Sequence, residues 1–433
     1  VLKLSSIVFA IVLTNKKGGF MKLFRTLATT SAMGFGALVL LSGCAQAPTA
    51  ATAPAAAPVA AAPIAAAAPL LTEKKVFSMP SYTTFGGKTI KNVKVGYETY
   101  GTLNAKGDNA IFIAHFYSGN SHAAGKYKAA DAAAGYWDSI IGPGKPIDTD
   151  KFFVISADTL SNLNTKDPNV TTTGPSSINP DTGKPYGMSF PVIAMRDSVV
   201  VHKALVDSLG VKKLHAVAGA SGGSVQAVEW TVLYPDFVDR AIPVISPGLS
   251  ISPWAVALLD IWVAPIKSDP KWNNGDYYGK GEPLDGIALA LKLVTITTRH
   301  WGWVERTFGY KPADASKPTA DAIGNRFASE DTFTKAGVSR AVTTDANNKI
   351  YMAKANQLFN VEDDAAKIKA KFLFIPAQSD LVFPPEMSQK AAAKLRSLGK
   401  SADVFVIEGD GGHLDGVLAV NKAAEVIRAF LAK

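Results

Sequence analysis

Two rhythms of hydrophobic and polar positions alternate along this chain. Residues 93–100, Val-Lys-Val-Gly-Tyr-Glu-Thr-Tyr, alternate as a half-buried strand does. Apolar runs at Asn109–Ala114 and Lys151–Asp158 read as strands buried on both faces. Asp197–Leu209 then takes helical spacing and stops at Gly210, and Leu214–Ala220 returns to an apolar run. A short strand is predicted at Ala241–Ser246. About a hundred residues follow without strand pattern, holding helical stretches such as Ile287–Thr298 and five of the seven tryptophans. Strand patterning resumes at Ala370–Ala377 and Asp403–Ile407, before a closing helix from about Val417 to Leu431. Strands alternating with helices predict the α/β class: a mostly parallel sheet with helices on both faces. The strandless stretch, about 248–365, reads as an inserted helical cap.

The N-terminal pattern is different. A basic start (Met21, Lys22, Arg25) leads into an apolar run and then Leu41-Ser42-Gly43-Cys44. This reads as a secretory signal, too short and wrongly flanked for a spanning helix. Its ending resembles a bacterial lipobox, which implies a lipid on Cys44. Ala45 after it, in place of Asp, implies an outer-membrane anchor facing the periplasm. Residues 1–44 are thus taken as leader and signal, with the true start expected at Met21. Residues 45–70 are almost entirely Ala and Pro, and proline at that density forbids a stable helix, so an extended tether is expected. The folded domain is placed at 71–433.

Composition adds three bounds. With 47% hydrophobic and 19% charged residues, a sizeable core is expected. The net charge of +9 is dispersed without a basic block, which argues against a nucleic-acid partner. Cys44 is the one cysteine, so no disulfide forms within a monomer. No metal-ligand spacing, phosphate loop or dinucleotide fingerprint occurs, and no cofactor is expected.

The chemistry lies at Gly219-Ala220-Ser221-Gly222-Gly223, a Gly-x-Ser-x-Gly between an apolar strand and a helix. That context makes Ser221 a nucleophile on a sharp turn, with the following helix start aimed at developing negative charge. A serine needs a base, and the base needs an acid to fix its tautomer. Of six histidines, His413 alone sits on a Gly-rich loop directly after a strand, and Asp380 is likewise placed after a strand. The order Ser221, Asp380, His413 is that of α/β-hydrolases. Asp410 and Asp415 share the His413 loop and read as solvated turn residues. The oxyanion donors are expected to be the N–H groups of Gly222 and Tyr117, with Phe116 second. His115 reads as a hydrogen-bonder shaping its loop.

From Val95-Gly96-Tyr97-Glu98-Thr99-Tyr100-Gly101 to His413, the domain resembles the homoserine O-acetyltransferase family of α/β-hydrolases. The likeness rests on Trp137-Asp138-Ser139-Ile140-Ile141-Gly142-Pro143-Gly144-Lys145, on Asp148–Val154 and on Thr173–Gly187, with Arg196-Asp197, Glu229-Trp230 and Asp269-Pro270. It implies an acyl-enzyme on Ser221 with Asp380 and His413, a helical cap over the site, and by analogy a homodimer. Three positions depart from the family pattern. The elbow is Ser221-Gly222-Gly223-Ser224 instead of Ser-Met-Gly-Gly. The loop His115-Phe116-Tyr117-Ser118-Gly119 replaces His-Ala-Leu-Thr-Gly. Val263 stands where the family's cap arginine would hold the homoserine carboxylate, which forfeits roughly 1.5–3 kcal/mol of acceptor binding. Phe116 and Val263 are therefore expected to shape a different substrate site. The expectation is a serine-nucleophile acyl hydrolase of small esters or thioesters. The alternatives are an O-acyltransferase of the family type and a catalytically silent binding lipoprotein.

Overall fold

The computed structural model describes residues 69–433. The leader, Cys44 and the tether up to residue 68 lie outside the described residues. Eight strands form one sheet: β1 (Lys75–Thr83), β2 (Thr89–Tyr100), β3 (Ala110–Ala114), β4 (Phe153–Ala157), β5 (Leu214–Ala220), β6 (Arg240–Val244), β7 (Lys371–Phe374) and β8 (Ala402–Val404). Their spatial order is β1-β2-β4-β3-β5-β6-β7-β8. The β1–β2 and β2–β4 pairs are antiparallel, and every later pair is parallel. The chain carries an α/β-hydrolase fold.

The predicted strands appear: β2 begins four residues earlier than predicted, β5 matches, and the others differ by one to a few residues at their ends. β1 was not predicted, and its composition explains why. It is a half-exposed edge strand carrying Pro80, which only an edge tolerates because proline cannot donate to the ladder. The residue facing it on β2, Asn92, takes φ 53°. The central strands β3 and β5 are buried almost throughout, as continuous apolar runs require.

Between β6 and β7 lie α3 (Pro253–Ile261), α4 (Ala264–Ser268), α5 (Leu284–Thr297), α6 (Trp301–Phe308), α7 (Ala328–Ala341) and α8 (Ala346–Gln357). On the sheet, α1 (Met195–Ser208) packs beside α2 (Gly222–Leu233), the helix that follows β5. The closing segment is not one helix but short pieces, α10 (Asp415–Leu418), a 3₁₀ turn and α11 (Ala424–Ala432), after α9 (Pro385–Ser397). The Trp137 indole N–H, 3.3 Å away, bonds the Gly416 carbonyl that a continuous helix would offer to Val420.

Two buried histidines fasten strand ends. His202 on α1 donates from Nε2 to the Asp158 carbonyl at 2.9 Å. His115 at the end of β3 accepts the Thr159 N–H on Nε2 at 3.1 Å. That fixes its tautomer: Nδ1 carries the proton and donates to the Phe116 carbonyl at 2.8 Å. Burial pushes both imidazoles down to about 4.

Two expectations follow from this packing. At Gly223 a Cβ would be driven into the Ala114 carbonyl oxygen, with the Ala114 carbonyl carbon at 2.7 Å and the His115 oxygen at 2.9 Å. At Gly222 the nearest atom would be the flexible Asn356 Oδ1 at 3.1 Å. Gly223→Ala should therefore cost about 3 kcal/mol or more and Gly222→Ala much less, read as urea midpoints. The second concerns pH. Folded pKa values near 4, against about 6.5 unfolded, mean that the unfolded chain binds more protons between these limits. Stability should fall as pH drops from 6.5 to 4, on the order of 3 kcal/mol per histidine. His202→Gln should remove its share of that slope in pH-dependent denaturation.

Candidate active site

Three loops at the carboxyl end of the sheet converge. β5 ends at Ser221, whose backbone takes φ 55° and ψ −117°, a conformation unfavourable for any residue with a Cβ. Close approach enforces it. A Cβ at Gly219 would meet the Gly223 backbone and lie 2.9 Å from the Ala114 oxygen, so strand and helix touch only through glycine. The loop after β7 supplies Asp380, and the loop after β8 supplies His413.

The three side chains form one hydrogen-bonded line. His413 Nε2 lies 2.8 Å from Ser221 Oγ, and His413 Nδ1 lies 2.7 Å from Asp380 Oδ2. Asp380 Oδ1 accepts the N–H groups of Val382 at 2.8 Å and Phe383 at 3.0 Å. These bonds hold the carboxylate against rotation. All three residues are buried, with Ser221 the most accessible at 8%. An ionised Asp380 keeps the His413 proton on Nδ1, leaving Nε2 free to accept from Ser221. The arrangement can therefore take a proton from the serine as Oγ attacks a carbonyl.

Two backbone N–H groups without an acceptor among the described residues lie beside this line. Gly222 is the first residue of α2, so its N–H has no acceptor within the helix. The Tyr117 N–H donates to no acceptor among the described residues. A Cβ on Gly222 would stand 3.4 Å from the Tyr117 nitrogen, so the two N–H groups belong to facing loops. The Phe116 carbonyl is held by His115 Nδ1–H and by the Gly119 N–H at 2.9 Å. A trans peptide places its N–H opposite its C=O, so this grip also aims the Tyr117 N–H.

The cavity over Ser221 is narrow, about 80 Å³, and includes Phe116, Tyr117, Trp262, Val294, Arg340 and Leu414 in its wall. Phe116 lines it as expected. Val263 does not. It lines a separate cleft with Asp260, Lys267 and Tyr351, because at the start of α4 its neighbour Trp262 turns toward the cavity instead. Lys267 pairs with Asp260 at 3.1 Å and is not spare for a ligand. Asp410 pairs with Arg306 of the cap at the surface. Asp415 is buried, not solvated, because it accepts the Gly411 N–H at 3.0 Å, and burial pushes its carboxyl up. Sequence reasoning missed Arg340 and Trp262, which come from the cap. Leu414 was within reach as the neighbour of His413.

Among known proteins, the alpha/beta hydrolase fold family model matches residues 134–418. The homoserine O-acetyltransferase of Deferribacter desulfuricans is 38% identical, over 80% of this chain and 92% of that protein. That of Carboxydothermus hydrogenoformans is 34% identical, over 83% and 95%. Among solved structures, esterase E22 is 49% identical with a TM-score of 0.79, covering 83% of this chain and all of that one. The homoserine O-acetyltransferase from Bacillus anthracis is 35% identical with the same TM-score, over 84% and 98%. With relatives of this identity over nearly their full length, the chain belongs to the homoserine O-acetyltransferase family of α/β-hydrolases and is an acyl-transferring enzyme of that superfamily.

Proposed function

We propose that Ser221, His413 and Asp380 form the catalytic triad of an esterase, with water as the acyl acceptor. One observation carries the choice of acceptor. Among the described residues, the cavity wall around Ser221 and His413 contains no carboxylate, so the ammonium of an amino-acid acceptor would be buried there without a counter-charge. The residue after His413 is Leu414, which is apolar and faces the cavity. Esterase E22, at 49% identity, supports the same reading.

In this mechanism His413 Nε2 takes the Ser221 proton as Oγ bonds to the ester carbonyl carbon. The carbonyl oxygen becomes an oxyanion held by the N–H groups of Tyr117 and Gly222. Collapse expels the alkoxide, which takes its proton from His413, and leaves an acyl-Ser221 ester. Water then attacks that ester while His413 takes its proton. The second collapse releases the carboxylic acid and returns the proton to Ser221. Asp380 stabilises the imidazolium in both halves without being protonated. With about 80 Å³ of space, the cavity suits a short acyl group.

The second reading is acyl transfer to homoserine. The curated relatives support it, since those at 34–38% identity over most of their length bear the homoserine O-acetyltransferase name. It needs a different occupant of the same acyl-enzyme, and the two readings share every step up to it. Location is a separate matter: the Leu-Ser-Gly-Cys ending supports lipid anchoring at Cys44 in the bacterial envelope.

Product analysis separates the acceptors. With a short-chain nitrophenyl ester and millimolar homoserine, free acid should account for nearly all acyl product. O-acyl-homoserine as the main product would overturn the hydrolase reading. Ser221→Ala should lower kcat by about 10⁵-fold and Asp380→Asn by about 10⁴-fold. Variants indistinguishable from wild type would instead support a silent binding protein. For the anchor, a tagged fatty acid fed to cells should label the wild-type chain and not Cys44→Ala.

A further inference from the structure

Arg340 sits at the last turn of α7, half-buried, and lines the cavity that holds Ser221 and His413. Other arginines of this chain, such as Arg196, Arg306 and Arg326, face a carboxylate. Arg340 faces none among the described residues. Its one side-chain hydrogen bond runs from Nη1 to Thr295 Oγ1 at 3.3 Å. Thr295 Oγ1 in turn donates to the Leu291 carbonyl at 2.7 Å, so the hydroxyl is committed and holds the guanidinium by a lone pair. A guanidinium has five N–H donors, and none of the remaining Arg340 nitrogens is sealed away from solvent. Arg340 and its partner Thr295 both line the cavity.

A cation in this position is costly unless something anionic meets it. Leaving a half-buried guanidinium without a carboxylate gives up the charge-assisted bonds that arginine makes best, often in bidentate form. The nearby Lys349 does not offset the charge. It is fully buried, its Nζ reaches only the Tyr117 hydroxyl at 3.3 Å, and burial drives its ammonium to give up the proton. The guanidinium cannot do the same, so it remains the fixed positive charge of the site.

We infer that Arg340 is a specificity-determining residue that binds a carboxylate on the substrate, so that the preferred esters are anionic half-esters of short dicarboxylic acids or their close equivalents. This rests on the reading of Ser221 as the nucleophile and is independent of whether water or an alcohol accepts the acyl group. The half-ester meets both chemical demands: it has a carbonyl for Ser221, a carboxylate for Arg340, and no ammonium that would need a missing counter-charge.

The test uses monomethyl glutarate and its neutral isostere dimethyl glutarate, with the succinate and adipate pairs to cover spacing. Calorimetry on the Ser221→Ala chain reads binding without turnover. The half-ester should bind at least tenfold more tightly than the diester for one chain length. Added Arg340→Leu should bring the ratio near one, and Arg340→Lys should recover part of it. Each ratio is taken within one protein, so partial loss of folded material does not disturb it. Equal binding of both esters at every length, or a ratio unchanged in Arg340→Leu, would overturn the inference. Turnover by the chain with Ser221 intact is scored separately. If half-esters bind selectively but are not hydrolysed, the reading of Ser221 fails while that of Arg340 stands.

Discussion

A serine held at φ 55° and ψ −117° costs on the order of 1–3 kcal/mol, and nothing at Ser221 itself repays that. The compensation comes from the packing on either side. Gly219 and Gly223 let β5, α2 and the end of β3 approach to distances that exclude any Cβ. Once these backbones touch, the turn between them has few conformations left, and Ser221 takes the one that lifts Oγ out of the sheet toward His413. The same contact sets the neighbouring loop. Gly223 packs on the carbonyls of Ala114 and His115, and the next peptide carries the Tyr117 N–H. Ser221 and the N–H groups of Tyr117 and Gly222 are thus positioned by one close backbone contact.

That contact also explains why His115 is buried and neutral. The loop after β3 must hold its Phe116 carbonyl away from the cavity to turn the Tyr117 N–H toward it. An internal donor is needed, and a neutral imidazole with Nε2 occupied by Thr159 provides it on Nδ1. A charged imidazolium would have to donate from Nε2 as well, against the N–H of Thr159. The depressed pKa and the hydrogen-bond pattern therefore describe the same constraint.

The sheet and the hydrogen-bonded line of Ser221, His413 and Asp380 were legible because their signals are local. A Gly-x-Ser-x-Gly after an apolar strand, and a histidine and an aspartate each just after later strands, need no knowledge of distant contacts. β1 was not legible, since Pro80 and half-exposed alternation hide an edge strand. The cavity wall was not legible either. Val263 and Trp262 are adjacent in sequence, and which of them faces Ser221 depends on how α3, α4 and α8 pack. Arg340 lies 119 positions from Ser221 on a helix whose charge pattern looks like an ordinary solvated face. Its place in the cavity comes from the long packing of α7 against α5.

The cap contributes to more than the shape of the cavity. Gly412 adopts φ 74°, and a Cβ there would press on the backbone of Thr298, Arg299 and His300, at 2.6–2.8 Å. The His413 loop is therefore docked on the end of α5, with the Leu414 N–H directed at the Thr298 carbonyl at 3.4 Å. A helix C-terminus carries partial negative charge on its unsatisfied carbonyls, and this favours a nearby cation by about 0.3–1 kcal/mol. In the proposed mechanism His413 becomes a cation as Ser221 attacks, so the end of α5 assists Asp380 at the moment charge appears. Thr295 on the same helix accepts a hydrogen bond from Arg340 at 3.3 Å. One cap helix thus borders both the His413 loop and the Arg340 guanidinium. Substitutions in α5 should for that reason disturb rate and selectivity together.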